Sequence, residues 1–594
     1  MRFRRSACIV IALLSSCGPS ARTEGDDGPE GPCPEGHRRC EGNTFEVCSK
    51  GEWVILEQCP LFCTLDGCAS CDGPGCVPDL CAQATTDKSY MGCEYWAVDL
   101  DNATEVQGLP IPVAGMECAL YPETKLVMGQ KVCYDGSNSA GKCDSGNDAC
   151  PPGYTCMVPP AGVCGLFGDT APFAIVVSNP QAMPVAVTIT VASGQSMSVP
   201  VQPGNVQAIY PQDLGFVDAS IDGTGISTSA YKITSSAPIV AYQFNPLNDV
   251  DVFSNDASLL IPRSGFDKKY LAVSYATLTR RGPGGPGRDD YNGYFSVVAW
   301  EPDTEITVTA TATTVAGKDG TPSIPAGQSR TFTLQPYQVL NLEAVRGPDQ
   351  NSNEGLNGGD LTGSVIQSGN GKTFGVFGGH EAVRISAPNS NCCADHLEEM
   401  LFPTSTWGKE FVVARTFVRR DAPDILRVVA SVSGTTVTFS PPPVAGSCPV
   451  LPASGHCDVQ ITQPTTVNAS QPVTVAHLMM SAILNLDGTG DPSLGIVPPV
   501  EQHRTDYKFL APMDYAEQYV TIVGVAGDQV MLDGVPVNLA TVFGVQRATA
   551  TIPIVPGTHI VACPMKCSVE IYGWSQAVSY LFAGGLDLKP IVLE

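Results

Sequence analysis

The stretch NCCADHLEEMLFPTSTWGKEFVV, residues 391–413, sets two adjacent cysteines beside an aspartate, a histidine and two glutamates. With His380 from the preceding apolar run, Asp395 and His396 could form a metal-assisted hydrolase site. Imidazole and carboxylate together hold zinc and move protons. Such a site also needs a nucleophile or an open metal position. His380-Glu381-Ala382-Val383-Arg384 lacks the second histidine of HExxH, and the chain has no G-x-S-x-G elbow and no Walker loop. The earlier counterpart of the region, NDASLLIP, keeps Asp256 without histidine or cysteine, so the expected role is structural. Calcium is a second chemistry. NPLNDVDVFSND offers Asn248, Asp249, Asp251, Asn255 and Asp256, and NLDGTGD offers Asp487 and Asp491. Neither fits an EF-hand, and Asn/Asp clusters ordinarily make turns. No other cofactor is expected. A third candidate is the Gly/Pro-rich segment TRRGPGGPGRDDYNGY, where Arg280, Arg281 and Arg288 make a basic tip for a ligand on an acidic protein.

Those residues must be positioned by elements whose class the composition already narrows. Net charge is -26, only 15% of residues are charged, and Gly, Pro, Val and Thr are abundant. This argues against nucleic-acid backbones and anionic lipid surfaces as partners, and it suits an exported β-rich protein. Residues 1–16 read as a lipoprotein signal peptide: Arg2, Arg4 and Arg5 precede a short apolar run. The Leu14-Ser15-Ser16-Cys17 that follows resembles a lipobox, which makes Cys17 the lipidation site. Gly18 stands where an inner-membrane retention signal would place aspartate, so the outer membrane or cell surface is expected. Residues 17–32 read as a flexible tether. No later apolar run is long enough to span a bilayer, which leaves the N-terminal lipid as the expected membrane contact.

Setting aside Cys8 and Cys17 leaves 22 of the 24 cysteines, an even number in an oxidising compartment. Residues 33–82 read as a small disulfide-rich module with too little core to stand unstapled. Cys68-Ala69-Ser70-Cys71 is a lone CxxC without the repeat that a zinc site requires, so disulfides are expected there too. The block from Cys33 to Cys81 and that from Cys93 to Cys164 each hold an odd number. If all are oxidised, at least one bridge must join them, with Cys81 and Cys93 the candidates. Cys392, Cys393, Cys448, Cys457, Cys563 and Cys567 are further disulfide candidates.

Beyond Gly165 the pattern becomes period-two alternation broken by turn residues, which predicts an all-β fold. SAPIVAYQFNP (236–246), GKTFGVFGGHE (371–381) and SQPVTVAHLMM (470–480) are matching strands. A second motif follows each. Aligning Pro262 with Pro403 superposes Phe266 on Trp407, Lys268 on Lys409 and Tyr270 on Phe411, with Asp256 and Asp395 upstream. A looser third copy contains Asp491, Pro498, Tyr507 and Lys508. The expected architecture is a row of tandem related β-sandwich units. Its motif aromatics lie in the core and its lysine stems run along the surface.

SYMGCEYWAVDLDN (89–102), FAIVVSNP, APIVAYQFNPL, FGVFGGHEA and DHLEEMLFPTSTWGKEFVV resemble the N-terminal domain of the IgG Fc-binding protein family. That family is abundant among bacterial secreted proteins and lipoproteins. The likeness covers most of 83–594, interrupted by a cysteine-rich insertion at 104–168. It implies an all-β, non-enzymatic binding or adhesion module whose partner is an unidentified macromolecule or matrix polymer. It does not imply antibody binding. Ala382 stands where many relatives carry cysteine, which leaves Cys392 and Cys393 to pair with each other or elsewhere.

Overall fold

The computed structural model describes residues 38–41, 44–58, 63–64, 67–68, 79–106, 125–127, 131–137, 139–142, 150, 152–160, 162–167, 172–247, 254–281, 288–346, 355–356, 358–385, 394–417, 422–481, 489–513, 515–541, 546–575 and 578–591. The chain divides into two compact units, Met1–Asp79 and Leu80–Glu594. The small unit carries a three-stranded antiparallel sheet formed by Arg38–Glu41, Thr44–Ser49 and Glu52–Gln58. The division falls three residues before the boundary expected at 82/83. The helix Leu80–Asp87, with Cys81, therefore belongs to the larger unit, where Cys81 is bonded to Cys93. Within the insertion 104–168, Thr104–Val106, Val163–Phe167 and Lys125–Val127 form one small sheet. Val132–Tyr134, Ser139–Lys142 and Thr155–Met157 form another.

The larger unit is built on four hairpins, each a strand followed by a return strand. They are β1 (Ala230–Asn245) with β2 (Asp256–Leu259), β3 (Gly375–Val383) with β4 (Asp395–Met400), β5 (Thr465–Leu478) with β6 (Leu494–Val497), and β7 (Gly557–Ser575) with β8 (Val578–Ala583). All four pairs are antiparallel. The return strands are buried at every position, unlike a strand with one solvent face. Each touches the next: β2 meets β4, β4 meets β6, β6 meets β8, and β8 meets β2. The expected row of units is thus closed into a ring of four return strands. The sequence motifs exposed only three of its members. The fourth hairpin lacks the aspartate-to-proline step, and its strands are separated by two residues.

Three of the return strands end in a proline-led 3-10 turn. Pro262, Pro403 and Pro499 have φ of -64°, -63° and -65°, close to the angle their rings impose. Gly265, Thr406 and Gln502 then donate their N–H groups back to those prolines' carbonyls at 2.7, 2.9 and 2.9 Å. Phe266, Trp407 and His503 follow, all buried, and Tyr270, Phe411 and Tyr507 lie four residues farther on. This corrects the third copy: its turn proline is Pro499, not Pro498, and Thr505 rather than Lys508 stands in the lysine position of Lys268 and Lys409. It also corrects the aspartates. Asp395 and Asp491 stand eight residues before their turn prolines, Asp256 only six, with Ser254 in the matching place.

The C-terminal segment crosses all three turns. Leu588 packs against Gly265, where an added Cβ would meet Leu588 Cδ1 at 2.6 Å. Ile591 N–H donates to the Ser405 carbonyl at 2.8 Å, and Asp587 N–H to the Gln502 carbonyl at 3.0 Å. The same segment clasps the start of the larger unit: Tyr90 N–H donates to Leu586 O at 3.1 Å and Leu588 N–H to Lys88 O at 2.8 Å. SYMGC is thus one half of the ring's closure.

Two buried cations tie neighbouring units together. Arg427 grips Asp458 with two bonds of 2.8 Å and reaches Asp360 at 2.9 Å and the Ser274 carbonyl at 2.5 Å. Its guanidinium lies 4.2 Å from the Tyr275 ring centroid. His477 on β5 stands between Asp424 at 3.0 Å and Glu570 of β7 at 2.9 Å. Burial alone would lower its pKa, but the two carboxylates outweigh burial and hold the imidazolium charged up to about pH 10.

Leu588→Ala leaves a cavity beside Gly265 and costs about 2–5 kcal/mol, measurable as a fall in urea midpoint. His477 has a folded pKa above its unfolded value of about 6.5, so its contribution is complete below about pH 6.5. That contribution is lost as pH rises toward about 10. Unfolding free energies measured from pH 6 to 10 should therefore fall more steeply in the wild type than in His477→Gln.

Candidate functional site

The chemistry-bearing motifs meet inside the ring rather than at its surface. Asp256, at the start of β2, has no solvent exposure. Its Oδ1 accepts the Ala257 N–H at 2.9 Å, and its Oδ2 accepts those of Glu398 on β4 and Leu494 on β6, both at 3.1 Å. The Leu581 N–H of β8 also acts on it. One carboxyl thus collects backbone donors from all four return strands. Burial pushes its pKa well above the usual carboxylate range, while those donors pull it down and only in part offset burial. Of the calcium candidates, Asp256 is therefore committed to backbone donors in the core. Asp249 and Asp251 lie outside the described residues.

Around Asp256 the return strands carry further polar groups. Asp395 Oδ1 accepts the Asn255 N–H at 2.6 Å and the His396 N–H at 2.9 Å. Ser254 Oγ accepts the His396 N–H at 2.8 Å, and Ser258 Oγ accepts the Met400 N–H at 2.7 Å. These bonds lace β2 to β4 by side chain and backbone. Burial raises the Asp395 pKa, reinforced by the nearby Asp491 carboxylate, and it raises those of Glu398 and Glu399 as well.

The residues considered for hydrolysis do come together, in a setting unlike an active site. His380, Asp395 and His396 are all at 0% exposure. His380 Nε2 lies 3.1 Å from the Ala276 carbonyl, and His396 Nε2 lies 3.5 Å from Glu398 Oε2. Burial depresses the pKa of His380 to about 4 and that of His396 to about 3. Both are neutral imidazoles sealed from solvent, and no substrate reaches them in this arrangement. His503, in the aromatic position of the third turn, is held at about 3 by the same desolvation.

FGVFGGHEA has a packing reason as well. An added Cβ on Gly379 would stand 2.6 Å from the Tyr294 hydroxyl, and one on Gly378 would collide with the Val273 carbonyl. The paired glycines let a neighbouring strand and a phenol ring close over β3.

A second polar group, not anticipated from the sequence, lies outside the ring. Asp101, Glu343 and Glu381 bring ligand oxygens within 4.8 Å of one another. Asp101 stands in the SYMGCEYWAVDLDN motif. Glu343 ends the strand Val339–Glu343, and Glu381 follows His380 in β3. Each is separated from the others by at least 38 residues, and no local pattern joins them.

The remaining expected residues are spread over the fold. Phe266 and Trp407 are core, Lys268 is exposed and Lys409 partly so. Arg280 and Arg281 lie on the strand Leu278–Arg281, which pairs with the strand Arg288–Tyr291 that begins at Arg288. The basic tip is thus partly a β-ladder. Cys448 is bonded to Cys457 and Cys563 to Cys567. Cys17, Cys392 and Cys393 lie outside the described residues.

Comparison with known proteins agrees with this architecture. A family model described as IgGFc binding protein matches residues 256–573, more than half of the chain. The IgGFc-binding protein of Homo sapiens is 27% identical over 336 residues, covering 56% of this chain and 5% of that relative. The chain thus spans about a twentieth of the curated relative it matches. No solved structure matches. The matched residues begin at Asp256 and take in the return strands β2, β4 and β6 with their three turns, so the chain belongs to the IgGFc binding protein family.

Proposed function

We propose that the chain is a non-enzymatic binding or adhesion module, lipid-anchored through Cys17 and displayed at the outer membrane or cell surface. The observation that carries this reading is the family match, which takes in three of the four return strands, joined to the closure of their histidine–carboxylate core. Groups that could do catalysis are spent on holding strands together, which leaves the outer faces to meet a ligand. The alternative, a hydrolase using His380, Asp395 and His396, has no support from their placement.

The human relative is named for binding the Fc region of IgG. This chain covers 5% of that protein, so what is proposed here is the general property, recognition of a macromolecule or matrix polymer. A net charge of -26 favours neutral or basic partner surfaces and disfavours nucleic acid. Among the described residues, no helix is long and apolar enough to cross a membrane. In this reading the Cys17 lipid and the tether at 17–32 carry the membrane attachment.

Cross-linking on intact cells, followed by identification of what is captured, tests the function. A reproducible macromolecular partner, lost on competition with excess purified protein, is expected. Capture indistinguishable from that of an unrelated lipoprotein would overturn the reading. The anchor is tested separately: Cys17→Ser should move the protein from the membrane fraction to the soluble fraction, and continued membrane association would contradict lipidation.

A further inference from the structure

Six side chains from separate parts of the fold form one patch at the surface of the larger unit. Glu94 and Trp96 stand on the strand Gly92–Val98, and Lys232 of β1 lies directly opposite Trp96. Arg263 opens the first proline-led turn. Trp300 follows the strand Gly293–Val298, and Tyr337 donates its N–H to the neighbouring Ala299 carbonyl at 3.1 Å.

Glu94 links these parts. Its Oε1 accepts from Trp96 Nε1 at 3.2 Å and lies 3.6 Å from Lys232 Nζ, and its Oε2 lies 3.2 Å from Arg263 Nε. The Arg263 guanidinium is 4.5 Å from the Trp300 ring centroid, and Trp300 Nε1 donates to Thr373 Oγ1 at 3.1 Å. Stacked on an indole and tied through Nε, the guanidinium is fixed in direction before anything binds. Among the described residues neither of its Nη atoms has a hydrogen-bond partner, and the side chain is 35% exposed. A planar fork with both outer donors open takes a carboxylate through two parallel bonds. Lys232, 31% exposed, stands across Glu94 from it. The two cations share one carboxylate, so one positive charge is left without an ion pair. That is a local exception on a chain of net charge -26. In physiological salt the Debye length is about 8 Å, so an oxyanion seated here responds to these cations more than to distant acidic groups.

A second observation marks the same place. Gln338 N–H donates to the Gln335 carbonyl at 3.0 Å, closing a turn with Pro336 and Tyr337 at its corners. Tyr337 has a φ of 68°, the left-handed conformation that a turn ordinarily gives to glycine or asparagine. For a tyrosine this is strained backbone, and such strain gathers at binding sites. The ring stands edge-on to Trp96 at 4.9 Å and is only partly buried. Its hydroxyl has no hydrogen-bond partner among the described residues.

We propose that this patch binds a carboxylate-bearing polysaccharide. The two Nη atoms of Arg263 take the carboxylate of a uronate-type sugar, Lys232 adds charge from the side, and the Tyr337 ring and hydroxyl meet the neighbouring sugar. A uronate polymer matches on three counts. It offers apolar ring faces to aromatic side chains, hydroxyl groups to the phenol, and a planar anion to the fork. An acidic peptide would use the cations and leave the strained Tyr337 without a role. The proposal rests on the reading of the chain as a binding module and names its ligand class.

Calorimetric titration of the full chain with polygalacturonate, dextran and poly-L-glutamate, in buffer containing EDTA, provides the test. The wild type should bind polygalacturonate and leave dextran unbound. Arg263→Lys keeps the charge and loses the fork, and it should weaken binding at least about tenfold. Tyr337→Gly removes the ring while suiting the turn, so it should fold and weaken binding to a similar degree. Thermal melts confirm that each variant is folded. A folded wild type indifferent to polygalacturonate would overturn the site. So would equal binding of poly-L-glutamate, which would make the ligand any polyacid, or binding undiminished in both variants. Each of those results leaves the binding-module reading standing, because capture on intact cells decides that reading separately.

Discussion

The ring depends on the carboxyl group of Asp256. A return strand buried on both faces must find partners for backbone N–H groups that no edge strand supplies, because unpaired donors away from water cost about 1–3 kcal/mol each. Asp256 answers that demand where four such strands converge. It accepts from Ala257, Glu398 and Leu494, and the Leu581 N–H acts on it too. A hydrophobic residue there would fill the volume but leave the donors of three neighbouring strands unmet. This constraint explains why a β-rich core contains aspartate and serine at positions where valine would be the ordinary choice.

The remaining interior polar groups sort by whether they carry charge. His380, His396 and His503 have their charged forms disfavoured by burial, while His477 is flanked by two carboxylates and stays charged. Arg427, gripped by Asp360 and Asp458, is likewise a charged clamp between units. The charged clamps lie at joins between successive units, where each partner comes from a different part of the chain. Their role is to fix one arrangement of otherwise similar sheets, an arrangement that apolar packing alone would specify less sharply.

Ring closure separates this chain's architecture from a simple array. The family match ends at residue 573, before β8 and the C-terminal segment. Yet Leu586, Leu588 and Ile591 meet the turns and Tyr90, so the two ends of the larger unit complete each other. A closed ring turns its motifs inward, and DHLEEMLFPTSTWGKEFVV is accordingly a core strand and a turn. In the proposed reading, recognition falls to outer faces and connecting loops.

By itself the sequence determined the fold class, through period-two alternation. It also determined the matching strands at 236–246, 371–381 and 470–480, and the core placement of Phe266, Tyr270, Trp407 and Phe411. These are legible because a local pattern and a repeated spacing carry them. The turn proline of the third copy is not legible in the sequence, since Pro498 and Pro499 are adjacent and only backbone geometry distinguishes them. The fourth hairpin carries no repeat signal, because its return strand follows a two-residue connection and lacks the shared motif. Only the tertiary structure decided that the row closes, that Asp256 gathers donors from β4, β6 and β8, and that Asp101, Glu343 and Glu381 share one place. Those contacts join residues tens to hundreds of positions apart, and no periodicity along the chain encodes them. Within the ring they exist because return strands buried on both faces meet leftover backbone donors through one another's side chains.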